Sequence, residues 1–397
     1  MASISSNNLW KSRKLGEMAE EVRELFEPRG AEEFPYVGLE HIEQGTLQLN
    51  GVGQSTDTIS TKKQFNAGEI LFGSLRPYFR KVVRPKFNGV CSTDITVIRP
   101  KKNCNPGFIQ YFIATQAFID HATNISSGTR MPRANWKTLC ESEWQFPPLP
   151  TQRKIAAILS AYDDLIENNL RRIKILEEMA QNLYREWFVK FRFPGHQQAR
   201  FTDSPLGRIP EGWEVVKVVE ILKKVKRGAK IQKQDYAGEG LIPIVDQGKE
   251  FIGGFTDNTE SLISDDLPLI VFGDHTRALK FIDFPFACGA DGTQLLKSND
   301  ERMPMTLFYC ALSSIDLSDF AYARHFKFLK EETLVLPVRL IADHFDQFVL
   351  PLRYQVRSLK QKNAILRRTR DLLLPRLISG EVDVSELDLV VPEEAAV

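Results

Sequence analysis

The chain has 397 residues, of which 43% are hydrophobic and 26% charged, with a net charge of +1. That length exceeds one ordinary core and fits two or three domains, while the apolar share excludes wholesale disorder. No apolar run approaches the roughly 18 residues that cross a bilayer, and the polar opening 1–14 lacks a secretory stretch, so a cytoplasmic chain without membrane contact is expected.

Cys91, Cys104, Cys140, Cys288 and Cys310 are odd in number and form no C-x-x-C pair. They encode neither a disulfide framework nor a zinc knuckle, and buried reduced thiols are expected. The segment from Glu381 to Val397 carries six acids and no base, so the rest of the chain stands at +7. A basic body with an acidic tail is compatible with a nucleic-acid partner.

In chain order, residues 1–150 read as one α+β globule. Short β-rich runs at 68–73 and 93–98 are broken by Gly and Pro turns, and a helix over 106–123 opens on Pro106. A long helix over 151–193 follows. Ile155, Leu159, Tyr162, Ile166, Asn169, Ile173, Leu176, Ala180, Leu183 and Trp187 alternate steps of four and three, the period of a coiled-coil seam. Residues 194–211, with Pro194 and Gly195, read as a flexible linker.

The first globule then returns in a second, at 212–342. Phe34-Pro35-Tyr36-Val37 recurs as Ile242-Pro243-Ile244-Val245, and Ile70-Leu71-Phe72-Gly73 as Ile270-Val271-Phe272-Gly273. The run from Phe87 through Cys91 to Asp94 recurs from Phe284 through Cys288 to Asp291, and Gly107 to Phe112 is echoed weakly by Pro304 to Tyr309. A second long helix over 343–380 repeats the seam in Phe345, Val349, Leu352, Val356, Leu359, Asn363, Leu366, Arg370, Leu373 and Leu377. Pro351 should kink or reopen it, and Pro375 should end it. An acidic tail, 381–397, closes the chain. Each seam holds one Asn, Asn169 or Asn363, placed either to fix register or at a solvated edge.

A bare apolar stripe is unstable in water, so the two helices are expected to pair antiparallel as an intramolecular coiled coil. The fold class is therefore α+β, with two similar globules separated by the paired helices in a pseudo-two-fold internal repeat. Such a spacer acts as a ruler, and DNA presents its major groove about every 34 Å, so two related but unequal globules fit a bipartite, asymmetric target.

Charge marks the candidate contacts. Between Glu69 and Asp94 there is no acid, while Arg76, Arg80, Lys81, Arg84 and Lys86 are interleaved with Tyr78 and Phe79. In the second copy Lys224, Lys226, Arg227 and Lys230 stand in a run opposed only by Glu220. Bases at this density neutralise phosphates, and arginine forks onto guanine edges. The loops over 127–136, with Arg130 and Arg133, and over 322–327, with Tyr322, Ala323, Arg324, His325 and Lys327, occupy equivalent places. His275 and Arg277, in the run from Gly273 to Arg277, complete the candidate set.

No phosphate loop, H-E-x-x-H, nucleophile elbow or metal-ligand spacing is present, so no catalytic or metal site is assigned. Asp274 and His275 alone merit testing as an acid–base pair.

Several motifs carry a family resemblance. The run from Gly68 to Tyr78, the run Gly89-Val90-Cys91-Ser92-Thr93-Asp94, and Pro148 to Ile155 ahead of a long helix resemble the specificity subunit of type I restriction-modification systems. So do Phe272 to Arg277, Gly289 to Gly292 and Leu374 to Glu381. The resemblance implies two target-recognition domains, each reading half of a split sequence in double-stranded DNA. It also implies helices that dock two methyltransferase subunits, and translocase-nuclease restriction subunits that join the assembly. S-adenosylmethionine, ATP and magnesium would then sit on partners, and this chain would bind no cofactor of its own. A duplicated protein-binding scaffold without DNA specificity is the rival reading.

Overall fold

The computed structural model describes residues 10–28, 33–128, 130–318 and 324–389. Thr129, Tyr322, Ala323 and the end of the acidic tail, with Glu393 and Glu394, lie outside the described residues. The chain divides into two compact units, Met1–Asn169 with Gln361–Val397, and Leu170–Lys360, so the division falls inside both long helices.

In the first unit Lys11–Lys14 pairs antiparallel with Glu143–Phe146, tying the beginning of the globule to the residues just before the long helix. One sheet holds Ala19–Val22, Ile95–Pro100, Ile70–Gly73 and Val82–Val83, in that order. Its central strand, Ile70–Gly73, is buried throughout, as a continuous apolar run demands. A second sheet contains one parallel pair, Pro35–Val37 beside Gly89–Cys91, through Tyr36 opposite Val90 and Val37 opposite Cys91.

The second unit repeats this plan. Glu214–Lys217 pairs with Thr333–Leu336, and Leu269–Gly273 lies between Leu279–Ile282 and Thr293–Leu296. Ile242–Val245 runs parallel to Phe286–Cys288, through Ile244 opposite Ala287 and Val245 opposite Cys288. A parallel pair needs a crossover, so its recurrence at the same two segments is a topological match and not only a sequence echo. The second copy has one more residue between the repeated Cys place and the next strand. Gly292, not Asp291, therefore plays the part of Asp94: Ser74 N–H donates to the Asp94 carbonyl at 2.9 Å and Asp274 N–H to that of Gly292 at 2.7 Å.

The helix expected over 106–123 is two helices, Pro106–Ile113 and Gln116–Asn124. Asn105 caps the first by accepting from Phe108 N–H, and Thr115 interrupts by capping the second at Phe118 N–H. Its counterpart is Met305–Ser313. Tyr111 Oη donates to Asp163 Oδ2 at 2.5 Å, while Cys310 Sγ lies 3.7 Å from Arg353 Nη2 as its acceptor. The long helices repeat at an offset of 190, so Arg353 is the counterpart of Asp163 and Cys310 that of Tyr111. The weak echo that sets Gly107 against Pro304 is thus corrected to Thr306, because packing on the long helix sets the register.

The first long helix runs Leu149–Tyr184 and ends in a π-helical turn, Arg185–Val189. The second runs Arg339–Ile378 without interruption. Pro351 neither reopens it nor does Pro375 end it. Each proline forfeits one backbone bond, at the carbonyls of Gln347 and Asp371, while the buried neighbours Phe345, Val349, Leu374 and Leu377 hold the turns in place. The stretch expected to be a flexible linker contains a hairpin, Phe201–Ser204 with Gly207–Pro210, anchored by buried Ile209 and by Phe193 against Trp213 at 5.1 Å.

The helices pair antiparallel within each unit. In the first, Ile155 and Leu159 share a core with Leu374 and Leu377, Ile166 is buried, and Asn169 Nδ2 donates to Asn363 Oδ1 at 2.8 Å. Leu366 and Leu373 are half-buried along the same stripe. In the second, Ile173 and Leu176 pack with Val356 and Leu359, while Leu183, Trp187, Val349 and Leu352 belong to its main core. Asn363 is 4% exposed and also donates to the Ile166 carbonyl, so the pair is a buried polar layer and not a solvated edge. The repeat places Leu359 opposite Ile173 where Asn169 faces Asn363, so this polar layer marks the register of the seam.

The five cysteines are free. Burial pushes the Cys91 and Cys104 thiols up to about 12 and also raises those of Cys288 and Cys310. Iodoacetamide at pH 8 is therefore expected to modify Cys140 in the native chain and to spare the other four, read by peptide mass spectrometry. Among the described residues no helix is long and apolar enough to cross a membrane, and no His, Cys, Asp and Glu cluster could hold a metal ion.

Candidate nucleic-acid interface

In the first unit three loops are knitted together beyond the end of Ile70–Gly73. Leu75 N–H reaches the Asp94 carbonyl at 3.3 Å, Arg76 N–H that of Pro132 at 2.7 Å, and Ala134 N–H that of Ser74 at 2.9 Å. Arg133 forms an ion pair with Asp94 while remaining 54% exposed. Arg76 and Arg80 both adopt left-handed backbone, φ 51° and 48°, on either side of the turn Pro77–Phe79. That strained frame sets Tyr78 outward, its ring tilted against that of Phe79 at 4.7 Å between ring centres.

The bases on this tip are not equally available. Arg80 lies 4.0 Å from Asp371, with its side chain 22% exposed, and burial lowers its pKa. The Nε atoms of Arg76 and Arg80 are buried without a hydrogen-bond partner. Lys81 Nζ donates to the Leu39 carbonyl at 2.5 Å, and Arg84 points toward Gly107. Arg130, Tyr78 and Arg133 face solvent most openly.

The second unit repeats the three-loop tip with other residues. Asp274, next after Gly273, is buried, and its carbonyl accepts from both His325 N–H and His325 Nδ1 at 2.9 Å. Phe326 N–H donates to Asp274 Oδ1 at 2.8 Å. His325 is 5% exposed, so it clasps the loop instead of facing a ligand, and Arg324 and Lys327 are left exposed on and beside the helix His325–Glu331. With Asp274 turned inward and His275 exposed, the two do not meet as an acid–base pair. A sequence scan had no signal for this clasp, because its strongest acceptor is a backbone carbonyl.

Gln247 joins the second tip from a neighbouring loop. Its Oε1 accepts from His275 N–H at 3.2 Å and its carbonyl from the Thr276 hydroxyl. Arg277, in left-handed backbone, donates to the Leu317 carbonyl at 3.1 Å. Arg227 donates to Thr293 O at 3.2 Å and to Gln294 Oε1 at 2.9 Å, whereas Lys224, Lys226 and Lys230 are exposed. Removing the clasp with His325→Ala forfeits about one buried hydrogen bond. Amide exchange over 325–331 is expected to quicken about tenfold, with the rest of the unit unchanged, by exchange mass spectrometry.

Residues 7–178 match the family model of the type I restriction modification DNA specificity domain. The MjaIX type I restriction enzyme specificity subunit of Methanocaldococcus jannaschii is 27% identical over 314 residues, 73% of this chain and 72% of the relative. The chain is similar to specificity subunits of type I restriction-modification systems. The EcoDI specificity subunit of Escherichia coli is 31% identical over 187 residues, 45% of this chain and 41% of its own. The crystal structure of a type I restriction-modification S subunit from M. genitalium matches with a TM-score of 0.55 at 17% identity, covering 95% of this chain and 98% of that one, a likeness of fold.

Proposed function

We propose that this chain is the specificity subunit of a type I restriction-modification system and recognises a bipartite, asymmetric sequence in double-stranded DNA, with readers at 1–150 and 212–342 each taking one half. The observation that carries this reading is the recurrence of one three-loop tip on one sheet plan with different side chains at corresponding places: Ser74 against Asp274, Ala134 against His325. A shared frame supplies the same approach to a groove, and unlike side chains supply unlike base preferences.

Lys224, Lys226 and Lys230 are the phosphate contacts of the second reader, together with Arg277, Arg324, Lys327 and His275. Arg130, Arg133 and Tyr78 serve the first, and Arg76, Arg80, Lys81 and Arg84 shape its tip. His325 acts through the loop it holds. The paired helices set the distance between half-sites and dock two methyltransferase subunits, to which restriction subunits add. S-adenosylmethionine, ATP and magnesium belong to those partners, in the cytoplasm.

Methylation mapping of DNA from cells carrying the complete system tests the reading. Two unlike half-sites at a fixed separation are expected. A single contiguous site would overturn it, and so would a pattern unchanged by exchanging the second reader for that of another specificity subunit.

A further inference from the structure

The two units fill one corner beside the long helix in different ways. In the first, Gly107 lies against Ala156, and a Cβ placed on Gly107 would meet the Ala156 Cβ at 3.1 Å and Arg84 Nη2 at 3.7 Å. Arg84 thus occupies the corner from within the chain. In the second unit the counterparts of Gly107 and Ala156 are Thr306 and Asp346, joined by a hydrogen bond from Thr306 Oγ1 to Asp346 Oδ1 at 2.6 Å. Strand register makes Phe281 the counterpart of Arg84: Leu71 faces Val83 as Val271 faces Lys280, one residue earlier in each case. The ring of Phe281 packs edge-on to Tyr309 at 5.7 Å.

A cavity of about 710 Å³ opens at that corner, lined by Phe281, Met305, Leu350, Tyr354, Asp283 and Asp346 among others. The Asp283 side chain is 10% exposed. Its Oδ2 lies 3.1 Å from Arg357 Nη1 yet accepts no hydrogen bond, because that guanidinium donates to the Asp283 backbone carbonyl at 3.2 Å. The oxygen is thus ion-paired but lacks an aligned hydrogen bond, which a donor arriving from outside would supply.

We propose that this cavity receives an arginine side chain from a protein partner, its stem against Phe281, Leu350 and Tyr354 and its guanidinium on Asp283 and Asp346. The partner is the methyltransferase subunit, so the inference rests on the assembly reading above. Among the residues lining the cavity, two carboxylates stand against the single cation Arg357, a balance that favours a cation over phosphate. Because the first unit fills its own corner with Arg84, the two units offer a partner unequal seats.

The test uses the full chain, its cognate methyltransferase subunit and mass photometry. Asp283→Asn, which keeps the shape, and Leu350→Trp, which fills the cavity, are each expected to weaken assembly about tenfold or more, with thermal unfolding unchanged. Met305→Cys carrying a photoreactive label is expected to capture an arginine-containing peptide of that subunit. Unaltered affinity in both variants overturns the proposal while leaving assembly intact. Failure of the unsubstituted chain to bind the subunit at all overturns the assembly reading itself, and this inference with it.

Discussion

Glutamate at Lys224, Lys226 and Lys230 together is expected to lower DNA affinity ~10²–10³-fold at about 0.1 M salt, specific and scrambled sequences alike. All three side chains are exposed, and the run 221–232 that bears them contains no acid. Each lost phosphate contact removes about 0.9 from the slope of log affinity against log salt, so the substitution is expected to flatten that slope as well as weaken binding. Fluorescence anisotropy on the assembled complex across a salt series reads both. A complex that keeps its affinity and its slope would show that these lysines only solubilise the chain.

Arg76 and Arg80 are expected to behave differently. Their left-handed backbones and buried Nε atoms make them part of the tip's frame. Charge reversal there disturbs the fold of the loop as well as its charge.

Arg370→Leu is expected to destabilise the first unit by about 3–5 kcal/mol, measured by urea unfolding. Arg370 is 1% exposed and pairs with Asp163 and Asp371 while donating to the Thr46 carbonyl at 3.1 Å. Burial holds the Asp163 carboxyl above the ordinary carboxylate range even so, with Arg370 only partly countering it. The carboxylate is thus tolerated rather than favoured, and removing the guanidinium leaves it buried without a cation, held only by the Tyr111 hydroxyl. A carboxyl whose folded pKa is raised favours folding while protonated, so its contribution is present below the unfolded value and lost as pH rises through the folded one. The deficit of Arg370→Leu is therefore expected to shrink in acid. The double substitution Asp163→Leu with Arg370→Leu should recover most of the loss, because two apolar side chains leave no buried charge behind. A double variant as unstable as the single one would show that Arg370 acts through Thr46 and Asp371 instead.

Local pattern determined the duplicated globule and the two seams. Strand alternation, heptad spacing and runs without acids are properties of neighbours in the chain, and water enforces them wherever the chain folds. The burial of Ile155, Leu159, Ile166, Ile173, Val349, Val356 and Leu359 followed from spacing alone. Tertiary packing decided what neighbours cannot. It kept the second long helix intact through Pro351 and Pro375, because buried side chains on either side outweigh one missing backbone bond. It folded part of the expected linker into a hairpin around Ile209 and split the helix at Thr115. It turned His325 inward onto a backbone carbonyl, leaving Arg324 and Lys327 on the surface, and it set Arg370 on Asp163, two charges 207 residues apart in the chain. Those outcomes depend on which distant group supplies a donor or fills a space, and only the folded chain brings such groups within a few ångströms of each other.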